Sequence, residues 1–136
     1  MGTHSIIVIR NKEGKYLQYY DKVWNCYLFL NCKMSSENDI EVVKNKISND
    51  LHIEKSAIKV SFIGKKQHKK YSESAKMEKE YTHLFYSITV RTQIQENDFE
   101  IDNIKYKWFS YSDLLNDERI QKVNSDIVKF IKEFNI

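Results

Sequence analysis

Between residues 39 and 51, apolar side chains fall at Ile40, Val43, Ile47 and Leu51, at spacings of three, four and four. That is one stripe along about three turns of α-helix, and Val42 broadens it. Glu41, Lys44, Asn45, Ser48 and Asn49 take the other side, so one face packs and the other meets water or a site. The preceding residues Ser35, Ser36, Glu37, Asn38 and Asp39 offer the capping oxygens and negative charge that a helix N-terminus favours. A helix this one-sided must lie on an apolar surface, and the segments around it supply a sheet.

His4 to Arg10, centred on Ile6-Ile7-Val8-Ile9, predicts a strand. Asn11-Lys12-Glu13-Gly14 predicts a turn with glycine at a positive φ, and Lys15 to Tyr20 the returning strand. Trp24 to Met34, Ala57 to Gly64, Glu80 to Arg91 and Ile104 to Ser110 are further extended segments. Ser112 is placed to cap a short helix through Leu115, and Ile127, Val128, Ile131 and Phe134 line one face of a final helix from Ser125. Strands, helix, strands, helix, with few parallel crossovers, predicts an α/β fold: a mixed sheet with helices on both faces.

The chain's 136 residues can bury a real core, and the expectation is a single domain over 1–136. Its three glycines, Gly2, Gly14 and Gly64, lie too far apart to cradle a phosphate, which excludes a P-loop or a dinucleotide fingerprint. The absence of proline, with nineteen lysines against three arginines, is what an AT-rich coding sequence would produce. No apolar run approaches the roughly 20 residues of a membrane span. Ile6 to Ile9 is also too short for a signal-peptide core, so a cytoplasmic protein with no membrane partner is expected. Cys26 and Cys32 fit no disulfide scaffold or metal knuckle, and neither they nor His4, His52, His68 and His83 show ligand spacing. A nucleophilic pair of Cys26 or Cys32 with His83 has no residue pattern behind it. The net charge of +3 is mild, and nucleic acid is not the expected partner, although RNA stays open. The one basic concentration, Lys65, Lys66, His68, Lys69 and Lys70 in the polar stretch to Glu80, reads as a solvated hairpin loop or a phosphate-contacting rim.

Two segments resemble the Nudix hydrolase family: Ile6 to Leu17, like the family's opening hairpin, and Lys107-Trp108-Phe109-Ser110-Tyr111-Ser112-Asp113-Leu114-Leu115, like its late Arg-Trp-hydrophobic-Ser-x-x-Glu-Leu pattern. The resemblance implies a Nudix-like α/β/α sandwich and, for the family, hydrolysis of a nucleoside diphosphate linked to another moiety with Mg²⁺ or Mn²⁺. The family's box, laid without a gap on Asn31 to Ile53, sets its loop glutamate on Glu37 and hydrophobic positions on Ile47 and Ile53. Asn31 then stands for the first glycine, Asn45 for the arginine and His52 for the closing glycine. The metal-holding glutamates fall on Lys46, Asn49 and Asp50.

Positions 46, 49 and 50 share one face of one helical turn. Three carboxylates there would hold a hard cation, whereas Lys, Asn and Asp sum to zero charge, and the ammonium offers no lone pair. Lys46 and Asp50 are spaced for an exposed i,i+4 ion pair. Alternatively, Lys46 stands where a metal would and holds a phosphate, with Tyr20 and Trp24, near Tyr19 and Tyr27, stacking a nucleobase or simply packing the hairpin. Three functions follow. The first is a weakly active or inactive Nudix-like domain that binds a nucleotide or phosphorylated metabolite. The second is a hydrolase with a metal site rebuilt from Asp50, Glu37 and acids such as Glu78, Glu80 or Glu100. The third is a protein- or RNA-interaction module.

Overall fold

A computed structural model describes residues 2–33, 39–72 and 76–136. The chain runs β1 (Gly2–Ile9), β2 (Tyr16–Asp21), β3 (Cys26–Lys33), α1 (Ile40–Leu51), β4 (Ile58–Ser72), β5 (Met77–Val90), β6 (Phe99–Ile101), β7 (Ile104–Phe109), α2 (Tyr111–Asn116) and α3 (Glu118–Phe134). Seven strands form one sheet in the order β4-β5-β1-β3-β2-β7-β6. The β1–β5 pairing is parallel and the others are antiparallel, so the sheet is mixed as expected.

Strand alternation builds the two faces. On β1, Ile7 and Ile9 enter a cluster with Val43, Ile47 and Leu51 of α1, and Ile6 and Val8 enter another with Leu114 of α2 and Ile120, Ile127, Val128 and Ile131 of α3. The buried part of the predicted α1 stripe is Val43, Ile47 and Leu51; Ile40 and Val42 sit at its exposed border.

Several turns take positive φ without glycine, Lys76 (φ 53) among them. Gly14 has φ +78 as the hairpin requires, but Asn25, His52, Asp102, Asn103 and Asn135 also adopt positive φ. Asn, Asp and His are the non-glycine residues that most readily enter that region. Asp102 and Asn103, adjacent at φ 52 and 67, form the two-residue β6–β7 hairpin turn.

Three expectations are corrected. The basic stretch from Lys65 is not a loop: β4 stays paired with β5 from Ile58↔Val90 to Ser72↔Met77, and α3 covers its inner face through the Lys66–Glu133 ion pair at 3.0 Å. The cap of α2 is Ser110, not Ser112. Ser110 Oγ accepts from the Asp113 N–H, and Asp113 Oδ2 accepts from the Ser110 N–H, both at 3.0 Å. The last helix begins at Glu118, capped by Asp117, and kinks at Asn124 (φ −138), so the stripe read from Ser125 is only its second half.

The Ser110 backbone N–H, and after it the Ser110 hydroxyl, hold the Asp113 carboxyl below the usual carboxylate range. A depressed folded pKa means that its contribution is present above the ordinary range and fades as pH falls through the folded value. Ser110→Ala should cost about 1 kcal/mol and lower the thermal midpoint by a few degrees. That difference should shrink in acid, as scanning calorimetry at neutral and low pH would show.

Candidate functional site

Helix α1 presents Lys46, Asn49 and Asp50 on the side that meets the edge of its sheet face. Lys46 Nζ lies 2.7 Å from Asp50 Oδ2, with the two side chains 36% and 24% exposed. Asn49 points to solvent. Beside the pair lie Tyr19 of β2, Cys32 of β3 and Tyr106 of β7. Asp50 adds to the upward pKa shift of all three, and Lys46 partly offsets it at Cys32. Burial raises Tyr19 first and pushes Tyr106 up to about 12, so both phenols stay protonated and neutral at physiological pH. Asn31 Nδ2 donates to the Tyr19 oxygen at 3.2 Å and to the Phe29 carbonyl at 2.9 Å, while Tyr19 Oη donates to Asp21 Oδ2 at 2.9 Å. At the end of α1, His52 takes a left-handed conformation (φ 55, ψ 47), so the turn is made without glycine, and its ring meets Asp102 Oδ2 at 2.7 Å.

A cavity of about 380 Å³ opens past the C-terminus of α1, lined by Leu51, His52, Gln93, Gln95, Phe99 and Ile101 among others. Phe99 stacks on Tyr106 with ring centroids 5.0 Å apart, linking the cavity wall to the ring beside Asp50. Trp108 Nε1 donates to the Gln95 carbonyl at 2.7 Å and pins the segment between β5 and β6.

Other predicted site residues lie elsewhere. Tyr20 and Trp24 are not on the α1 face. Strand alternation turns Tyr20 away from Tyr19, against Tyr27 at a ring distance of 5.2 Å, and Tyr27 packs with the α3-side cluster. Trp24 is 55% exposed in the β2–β3 turn, its carbonyl accepting from Arg119 at 2.7 Å. Glu78 and Glu80 lie on the outer half of β5, opposite Tyr71 and Lys69, and Glu100 lies on β6 opposite Lys105. Glu37 lies outside the described residues. Cys26 packs with the α3-side cluster, and burial pushes both thiols up, away from thiolate character. Sequence reasoning missed Tyr106 and the facing of Tyr19. The period-two rule on β2 was the available signal, since neighbours on a strand cannot share a face.

The donor set decides the metal question on chemistry. Positions 46, 49 and 50 carry one carboxylate, already held by an ammonium. Among the described residues, no group of three or more His, Cys, Asp or Glu side chains could hold a metal ion. These residues do not fit a hard divalent cation, which prefers several oxygen ligands. Among the described residues, too, no helix is long and apolar enough to cross a membrane.

Comparison with protein-family models gives no match, and neither does comparison with curated protein sequences. Solved structures do match. An Ap4A hydrolase from C. elegans superposes with a TM-score of 0.63 at 11% identity, covering 99% of this chain and 96% of that protein. The MutT protein from Methanosarcina mazei Go1 gives 0.64 at 14% identity, covering 98% and 92%. A Nudix hydrolase from Nitrosomonas europaea gives 0.62 at 12%, covering 98% and 87%. Identities this low speak for the fold alone. With a mixed sheet clasped between α1 and the α2–α3 pair, the chain has the α/β/α fold of the Nudix hydrolases.

Proposed function

We propose that this chain is a Nudix-type domain that binds a phosphorylated small molecule, a nucleotide among them, at Lys46, and does not cleave it by a divalent-metal mechanism. The carrying observation is the 2.7 Å Lys46–Asp50 pair, which puts a cation on the helix face where the resemblance implies a cluster of carboxylates. A partly exposed ammonium can turn from Asp50 to a phosphate oxygen, and such charge-assisted bonds are among the strong ones. Tyr19 and Tyr106, both protonated, add no negative charge beside Lys46 and leave Asp50 as the acidic neighbour of this group. Mg²⁺ and Mn²⁺ have no part in this reading.

Lys46→Ala should weaken nucleotide binding about tenfold or more, the loss of one charge-assisted contact, as isothermal calorimetry with a nucleoside mono- and diphosphate panel would read. Phosphate or nucleoside release from that panel with Mg²⁺ or Mn²⁺, abolished by Asp50→Ala, would overturn the reading in favour of a working hydrolase.

A further inference from the structure

The cleft past the end of α1 begins where the Lys46–Asp50 pair ends. Lys46 Nζ lies 2.7 Å from Asp50 Oδ2, so the ammonium stands at the level of the last turn of α1, and the next residues, Leu51 and His52, already line the cleft. Tyr106 joins the two from the sheet. Its phenol feels the charges of Asp50 and Asp102, and its ring stacks on Phe99 of the cleft wall, with planes 13° apart and centroids 5.0 Å apart. β6 is the last strand of the sheet, so no further strand covers the side of Phe99 turned away from Tyr106. The half-buried Phe99 ring is thus packed on one face and borders the cleft with the rest of its surface.

The walls are of two kinds. Leu51, Ile94 and Ile101 supply apolar surface beside Phe99, and Gln93, Gln95 and Glu54 supply amide and carboxylate groups. The Gln95 carbonyl accepts from Trp108 Nε1 at 2.7 Å, which fixes the backbone from which that amide extends. Among the described residues, no lysine or arginine lines this cleft, and its imidazole, His52, meets Asp102 Oδ2 at 2.7 Å. A phosphate gains nothing from such walls. An uncharged planar ring gains a stacking surface, and its amino and ring nitrogens gain amide and carboxylate partners. At about 380 Å³ the cleft is at the small end of the roughly 300–1,000 Å³ of ligand sites, which suits one nucleoside-sized group.

We propose that this cleft is a nucleobase subsite, in which a base carrying an amino group stacks on Phe99 as the third ring of the Tyr106–Phe99 column and sets its edge against Gln93, Gln95 and Glu54. The proposal rests on the reading of Lys46 as the phosphate contact and assigns the other end of the same nucleotide. Lys46 then holds the charge and the cleft holds the uncharged ring, so a nucleotide is preferred over an anion that has no ring. Tyr20 and Trp24, which neighbour Tyr19 in the sequence, take no part, because they lie away from the α1 face.

Methyl NMR and calorimetry with adenosine, adenosine monophosphate and pyrophosphate test the two ends separately. Adenosine, which has no phosphate, should move the Ile94 and Ile101 methyl resonances by ring current. Phe99→Leu should weaken adenosine and adenosine monophosphate about tenfold, the order of one base–aromatic stack, and leave pyrophosphate as in the wild type. Lys46→Ala should weaken pyrophosphate and adenosine monophosphate instead. Uridine, whose base lacks an amino group, should bind more weakly than adenosine, and equal binding would overturn the amino-group assignment. Unmoved Ile94 and Ile101 methyls, or adenosine bound equally by Phe99→Leu and wild type, would overturn the subsite even with the Lys46 effect intact. Adenosine shifts at Ile94 and Ile101 without any Lys46 effect would uphold the subsite and overturn the reading of Lys46. Should Phe99→Leu fail to fold, the wild-type methyl shifts decide.

Discussion

Phe85→Ala should lower the thermal midpoint by about 10–15 °C. Phe85 is fully buried on β5, beside Ile6 of β1 in the register and against the Phe130 and Phe134 rings of α3 at 6.1 and 5.1 Å. Removing it leaves a cavity under α3 that the strands cannot close, because β5 is paired on both sides. Truncations of this kind cost about 3–5 kcal/mol, which in a chain of this size is roughly 3–4 °C for each. Leu115→Ala is the control: that side chain is 48% exposed and its loss should stay near the noise. A Phe85→Ala loss under about 1 kcal/mol, far below the usual cavity cost, would mean that α3 does not seat on β5 as described.

The largest functional change should come from Lys46→Glu combined with Asn49→Glu. Together with Asp50 these place three carboxylates on one turn of α1 and dissolve the 2.7 Å ion pair. Mn²⁺ should then bind with heat measurable by isothermal calorimetry, because a hard cation gains several oxygen ligands on one turn, while the wild type shows no binding heat. Without metal, like-charge crowding should lower the double variant's thermal midpoint, and saturating Mn²⁺ should restore part of it. Lys46→Ala with Asn49 intact is the control and should remain metal-blind. If the double variant also binds no Mn²⁺, the face does not have the geometry assigned to it.

Local signals carried the features that belong to one element. The α1 stripe, the Gly14 turn and the Lys46–Asp50 pair are set by spacings within a few residues, so they could be read before any packing was known. The outer half of the β4–β5 ribbon could not. Its alternating residues are lysines, glutamine and histidine, and it is extended because β5 pairs with it and α3 covers it. Polar composition reads as a loop when that cover lies some sixty residues further along the chain. The same limit misplaced Tyr20 and Trp24, which adjacency in sequence grouped with Tyr19 and the sheet separated.

With three glycines in the chain, Asn25, His52, Asp102 and Asn103 adopt positive φ values at turns. Residue types alone therefore specified an α/β chain without a phosphate-binding glycine loop and with one carboxylate where three would be needed for a hard cation. Tertiary structure alone decided which residues meet. Tyr19 and Tyr106 come to Asp50 across β2 and β7, and His68, His83 and Asp126 come together from two strands and a helix. The physical reason is separation along the chain: periodicity reports which way a side chain points, but only strand pairing and helix docking determine what it faces.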